Sequence, residues 1–253
     1  MSKISPKKIA TALLCLLPRP FSSIGLNMIG HKISYEAKIG WSLIFVEHLT
    51  LEAGSKIRHL NFLQCEKIVL SQKSEIQRGN VIYGPVNIVL SNSAVVGNGN
   101  KITRAFAEGD SSATQLSLGS LSKITSTHRI DLTRSVSFGP HSTLAGAGSQ
   151  MWTHGYVHEA TGSGRYRVDG TVTVGSNVYL GSGVIITAGL SIGDGVQVGA
   201  GATVTTSLEG EDVMFVSQPL RSIDISGGRS KRIDLDLDEN VTVETVYLKK
   251  QDE

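Results

Sequence analysis

Val168-Asp169-Gly170-Thr171-Val172-Thr173-Val174-Gly175-Ser176-Asn177-Val178-Tyr179-Leu180-Gly181 opens a stretch that runs to Val204 with an aliphatic residue at every sixth position: Val168, Val174, Leu180, Ile186, Ile192, Val198 and Val204. Two residues before each later member stands a second inward candidate, Val172, Val178, Val184, Leu190, Val196 and Ala202, and glycine follows at 175, 181, 193 and 199. A unit of aliphatic, any, aliphatic, glycine is a short strand with alternate side chains inward, ended by a residue that tolerates a tight, positive-φ corner. Helix is the competing reading. A 3.6-residue period would scatter positions six apart over opposite faces, and the β-branched residues and glycines also disfavour it.

Working outward, the same period runs through Ile33, Ile39, Phe45, Leu51, Ile57 and Leu63, then after a slip through Leu70, Ile76, Ile82 and Ile88. It returns as Leu90, Val96, Ile102, then Leu118, Ile124, Ile130, then Phe138 and Leu144. A strand this short cannot bury its own inward face, so successive turns must stack along an axis. Three units per coil give roughly eight coils and, at ~4.8 Å per stacked strand, a prism ~40 Å tall. The expected organisation is an N-terminal amphipathic helical segment over 1–32, the solenoid over 33–207 with loops at 103–115 and 155–167, and a tail over 208–253.

With 253 residues, 18% of them charged, and a net charge of +2, the composition is that of an ordinary globular chain and implies no nucleic-acid partner. Cys15 and Cys65 are too few for a disulfide framework or thiolate metal site, so a reducing, cytoplasmic setting is the default. Residues 1–38 carry six lysines and arginines against Glu36 alone. The apolar run Ile9–Leu17 sits between this basic start and Pro18-Arg19-Pro20, and is too short to cross a bilayer. It reads as a short amphipathic helix that packs on the solenoid end, with peripheral contact to an anionic inner-membrane surface as the lesser reading.

Interruptions of a solenoid must leave its wall, and two stand out. Thr103–Gln115, with Glu108-Gly109-Asp110-Ser111-Ser112, is polar and featureless. Gly155–Arg167 follows Gln150-Met151-Trp152-Thr153-His154 and holds His158, Glu159, Arg165, Tyr166 and Arg167. Histidine, carboxylate, aromatic and arginine concentrated at one break are more than packing requires.

The chain resembles the hexapeptide-repeat acyltransferases, in particular the branch of sugar O-acetyltransferases that act on bacterial surface polysaccharides, maltose and galactosides. The resemblance spans about 24–223 in architecture. In motif it rests on Ser126-Thr127-His128-Arg129-Ile130-Asp131, on Gly139–Gly146, on Thr153-His154 before the loop, on Val198-Gly199-Ala200-Gly201 and on Pro219-Leu220-Arg221. It implies an all-β, left-handed parallel β-helix, a homotrimer with active sites between subunits, and acetyl-CoA as acyl donor with no metal. Acyl transfer from a thioester to a hydroxyl needs a base for the proton and a donor for the oxyanion. The Thr-His pair assigns the base to His154, with Glu159 or Asp169 to orient it. Trp152, His158, Arg165, Tyr166 and His141 are expected against the sugar acceptor. The resemblance places Tyr179 beside the acyl donor, where a tryptophan is usual. It sets the backbone N–H of Ser182 at the thioester carbonyl, and Ala200, Gly201 and Thr205 along the pantetheine groove. Thr206 stands in place of a usual lysine, and Arg221 falls near the phosphates. With no cysteine near these motifs, direct transfer is expected rather than an acyl-enzyme. Amino-sugar N-acetylation is the alternative. Less favoured are a γ-type carbonic anhydrase using His154, His158 and His141 or His128, and a non-catalytic solenoid.

Overall fold

The computed structural model describes residues 5–104, 113–162 and 164–217, with the backbone alone for Arg165 and for 221–224. The segment Glu108–Ser112, residues Gln218-Pro219 and the charged tail from 225 onward lie outside the described residues. Two helices, α1 (Pro6–Cys15) and α2 (Phe21–Met28), precede a left-handed parallel β-helix, so the single expected helix is two. Ser5 caps α1 through its side chain, which accepts from the Lys8 amide, and Pro6 occupies the first helical turn, where its missing N–H costs nothing.

Three walls form the prism. On the first, Ile33, Leu51, Leu70, Leu90, Leu118, Phe138, Val174 and Ile192 stack in parallel register. On the second the row is Ile39, Ile57, Ile76, Val96, Ile124, Leu144, Leu180 and Val198. On the third it is Ile44, Leu63, Ile82, Ile102, Ile130, Met151, Ile186 and Val204. A ninth, incomplete coil continues past residue 207, with Leu208 bridged to Ile192 and Val213–Val216 paired to Gln197-Val198. Most row members are less than 2% exposed, which is worth about 1.5–3 kcal/mol for each side chain of this size.

Two period assignments shift. Ile44, not Phe45, fills the inward row, because the strand Leu43–Leu51 runs through the corner unbroken and places Ile44 and Val46 inside. Val168 is half exposed and lies outside the helix. It belongs to an antiparallel hairpin, His154–His158 with Arg165–Asp169, so the expected loop 155–167 is a two-stranded arm. At 103–115, Thr103 and Thr114-Gln115 are strand on either side of the undescribed segment. Both interruptions leave from the third corner, where the third wall returns to the first.

The corner glycines also divide their labour differently from expectation. Those at 175, 181, 193 and 199 have ordinary backbone, while positive φ falls two residues later, at Gly183, Gly195 and Gly201, with Asn177 and His141 in the same role. Gly181 is instead needed for close approach, since a Cβ there would sit 2.6 Å from the Ala200 amide of the next coil.

At the second corner, between the second and third walls, runs a buried polar ladder. The amides of Asn80, Asn100 and His128 donate to the side-chain oxygens of Asn61, Asn80 and Asn100 respectively, and the Ser149 amide donates to His128 Nδ1 at 3.1 Å. His128 Nε2 meets the Thr125 hydroxyl. Both ring nitrogens are spent on the fold, so His128 is no ligand. Burial pushes His128 down to about 4, and burial, with Lys7 second, does the same to His31. Histidines held neutral in the fold but free to charge when unfolded make stability full above about pH 6.5 and drain it as pH falls toward 4, by up to ~3 kcal/mol each. His128→Asn, which continues the ladder, is expected to flatten this slope. Urea midpoints for both proteins at pH 7 and pH 4.5 check it, and an unchanged slope would count against the assignment.

Candidate functional site

The site is built at the third corner, over two consecutive coils. Ile130 and Met151 stack in the inward row, and the chain just beyond each carries Asp131 and Thr153-His154. Asp131 is 7% exposed, and a carboxylate so buried must be satisfied by donors. Its Oδ2 accepts from the Thr153 hydroxyl at 2.6 Å, the Thr153 amide at 3.1 Å and His154 Nδ1 at 2.8 Å. Its Oδ1 accepts from the Thr133 hydroxyl at 2.9 Å and the Thr133 amide at 3.3 Å. Burial alone would raise the Asp131 carboxyl; the bonds from Thr153, His154 and Thr133 outweigh it and hold the group below the usual carboxylate range. An ionised carboxylate only accepts, so the His154 proton sits on Nδ1. Nε2 makes no hydrogen bond among the described residues, and the imidazole is a quarter exposed.

Neither carboxylate expected from the sequence orients the ring. Glu159 lies out on the hairpin and accepts from the Tyr166 hydroxyl at 2.8 Å. Asp169 pairs across the hairpin with His154 in backbone register, but its side chain binds Arg167 and Arg134. Asp131 was missed although it stands in the quoted Ser126–Asp131 motif. The available signal was a carboxylate next to an inward aliphatic on the coil before Thr153-His154.

The hairpin carries the ring series outward. Trp152 and His154 meet edge-on with centroids 6.3 Å apart, His154 and Tyr156 at 6.2 Å, and Tyr156 and His158 at 6.5 Å. The Arg129 guanidinium lies 5.6 Å from the Trp152 ring centre, and Trp152 Nε1 donates to Gln150. Trp152, His154 and His158 are therefore brought together, with Tyr166 on the same arm. His141 is not among them. It is exposed at the first corner, beside Tyr179 in a hollow of about 270 Å³ with Thr143, Asn177 and Gln197. His154, His158 and His141 do not converge, and among the described residues no three His, Cys, Asp or Glu are arranged to hold a metal.

The residues expected to bind the donor fall on two edges. Tyr179 is exposed on the second wall, and Ser182, Ala200 and Gly201 line the second corner. The Ser182 hydroxyl is locked to Ala147, accepting from its amide at 2.8 Å, while the Ser182 amide makes no hydrogen bond among the described residues. Gly146 makes room for that lock: φ is +66° and a Cβ would meet Ser182 Oγ at 1.9 Å. Thr205 and Thr206 lie at the third corner, two coils beyond His154. Of Arg221 only the backbone is described, in a strand antiparallel to Val213–Val216. One prism thus sets the imidazole and the Ser182 amide on separate corners, a wall apart.

Residues 171–206 match the family model described as bacterial transferase hexapeptide (six repeats). No sequence among curated proteins matches the chain. Among solved structures, the polysialic acid O-acetyltransferase OatWY shares the fold with a TM-score of 0.51 at 15% identity, over 77% of this chain and 83% of that one. A hexapeptide-repeat-containing acetyltransferase from Vibrio cholerae in complex with acetyl coenzyme A gives 0.43 at 17% identity, over 53% and 69%. AntD, an N-acyltransferase from Bacillus cereus, in complex with dTDP-4-amino-4,6-dideoxyglucose and coenzyme A, gives 0.44 at 15% identity, over 84% and 92%.

Proposed function

We propose that this chain is an acetyl-CoA-dependent O-acetyltransferase acting on a sugar hydroxyl of a bacterial surface polysaccharide or its precursor, with His154 as general base. The observation that carries the reading is the Asp131–His154 pair: an imidazole fixed through Nδ1 by an ionised carboxylate, its Nε2 without a hydrogen bond among the described residues, at the root of an aromatic arm. The hexapeptide model over 171–206 supports acyl transfer, and the OatWY fold supports a glycan acceptor.

The thioester supplies an activated acetyl carbon. Nε2 takes the hydroxyl proton as the sugar oxygen bonds to that carbon, and Asp131 steadies the imidazolium that results. The Ser182 amide is the donor offered to the oxyanion. When the carbon–sulfur bond breaks, the proton passes from Nε2 to the leaving thiolate, leaving an acetyl ester and free coenzyme thiol. Tyr179, Ala200, Gly201, Thr205, Thr206 and Arg221 hold the coenzyme in this reading, and Trp152, His158, Arg165 and Tyr166 the acceptor. The buried Cys15 and Cys65, whose thiols burial pushes up to about 12, take no part.

The two-corner placement supports a homotrimer. Setting the second corner of one prism against the third corner of its neighbour closes a site that one copy leaves open. A His154→Ala chain mixed with a Gly201→Trp chain is then expected to regain activity that neither has alone. Mixing after unfolding and refolding reads this directly, and a monomer with full activity in light scattering would refute it. The function itself is tested by incubating the protein with acetyl-CoA and extracted surface glycan. Thiol release together with an acetyl group that mild alkali removes supports the reading. An alkali-stable amide, or no transfer, overturns it.

A further inference from the structure

Both N-terminal helices turn their bulkier apolar side away from the protein. On α1 the fully buried residues are small, Thr11, Ala12 and Cys15, with Leu14 partly buried against the core, while Ile9 and Leu13, with Leu16 and Leu17 just beyond the helix, form the exposed stripe at i, i+4, i+7 and i+8. On α2, Ser22 and Leu26 face inward and Phe21, Ile24 and Met28 face out; Leu13, Phe21 and Met28 are 63%, 65% and 82% exposed. A helix that only capped the solenoid would carry the opposite pattern. The inner faces do cap it: Cys15 and Leu26 join the core beside Ile33, and Thr11 bonds His31 Nε2 at 2.8 Å. The outer faces of the two helices, which pack against each other, are left apolar and exposed, the kind of surface that marks a partner.

Charge decides which partner. Arg19, Lys32 and Lys38 are exposed at this end and Lys7 is half-buried, against the exposed Glu36 and an exposed Glu52 beside Lys32, with Glu47 taken up by the Ser5 hydroxyl. Lys8 is already paired with Glu66. The Arg19 guanidinium lies over the Tyr35 ring at 5.6 Å, and Tyr35 and Trp41 are both strongly exposed near this end. A second copy seated on the patch would set like charges against like. An anionic lipid surface supplies the opposite sign, and its headgroup layer is where aromatic residues of this kind collect. Among the described residues no helix is long and apolar enough to cross a membrane.

We propose that the outer face of α1 and α2 is a peripheral docking surface for an anionic lipid bilayer, lying in the plane of the headgroups with Leu13, Leu16, Leu17, Phe21, Ile24 and Met28 inserted and Arg19, Lys32 and Lys38 on the phosphates. The proposal is independent of the acyl-transfer reading. It gives the enzyme end of the prism a fixed distance from the membrane, since the hairpin leaves the sixth of the stacked coils rather than the first.

The test is flotation of the full chain with vesicles of phosphatidylglycerol and phosphatidylcholine, against phosphatidylcholine alone. The wild-type chain should float with the anionic vesicles and release in high salt. Leu13→Ser with Phe21→Ser, both solvent-facing and so without cost to the fold, should weaken partition by roughly tenfold or more. Lys32→Glu with Lys38→Glu should weaken it by at least about fivefold per cation. Failure of the wild-type chain to bind anionic vesicles overturns the proposal, as does binding indifferent to both variant pairs. Dissociation of an oligomer by Leu13→Ser with Phe21→Ser, without vesicle binding by the wild type, would assign the patch to a second copy and overturn it equally.

Discussion

His154→Ala is expected to lower the turnover number by roughly a hundredfold or more, the usual worth of a positioned proton transfer, or about 2.7 kcal/mol of barrier. The Michaelis constant for acetyl-CoA should hardly move, because the residues assigned to the coenzyme belong to other coils. The fold should also survive. His154 is a quarter exposed, and its removal leaves Asp131 with four other donors, the hydroxyls and amides of Thr133 and Thr153. Steady-state kinetics with saturating acceptor, beside circular dichroism and light scattering, separates the two effects. Near-normal turnover in a folded, correctly assembled variant would exclude the base assignment and move attention to His158, two rings further along the same arm.

The difference between what the chain discloses and what it conceals follows from the length scale of each interaction. The inward rows are legible because a six-residue strand-and-corner unit repeats its burial at a fixed interval, so Val174, Leu180 and Ile186 declare three walls at once. That rule fails where the interval is kept by accident. Val168 has the right spacing and chemistry, yet its strand pairs antiparallel to Gly155 and leaves the prism. Phe45 fails for a related reason, since an unbroken strand through a corner moves the inward parity by one residue. The Thr153-His154 pair is readable from its place before an interruption. Its partner is not, because Asp131 and His154 are 23 residues apart in sequence and meet through coil stacking. The nearer Glu159 and Asp169 compete for attention on sequence distance alone. The asparagine ladder at the second corner hides in the same way: Asn61, Asn80 and Asn100 look like turn residues until register aligns them.

Asp131 therefore gives the more searching prediction. Alanine at this position would leave the buried amides of Thr133 and Thr153 and the Thr133 hydroxyl without this acceptor, at about 1–3 kcal/mol each, so a folding defect would obscure any effect on chemistry. Asparagine resolves the matter, because its amide has a preferred orientation here. The Thr153 amide and hydroxyl and His154 Nδ1 all point at one oxygen, so the asparagine carbonyl must take that side. Its NH2 then faces Thr133, whose hydroxyl can turn to accept, while the long 3.3 Å bond from the Thr133 amide is lost. Asp131→Asn should thus keep the imidazole in place with its proton on Nδ1 and keep the melting temperature within a few degrees. What it removes is the negative charge beside the imidazolium that forms during transfer. Turnover should fall by roughly two orders of magnitude while the Michaelis constant for acetyl-CoA stays near its wild-type value, the pattern of an interaction made only in the transition state. Asp131→Asn with full turnover would mean that Asp131 serves the fold alone. A rise in the Michaelis constant at unchanged turnover would place the carboxylate on the binding side of the reaction.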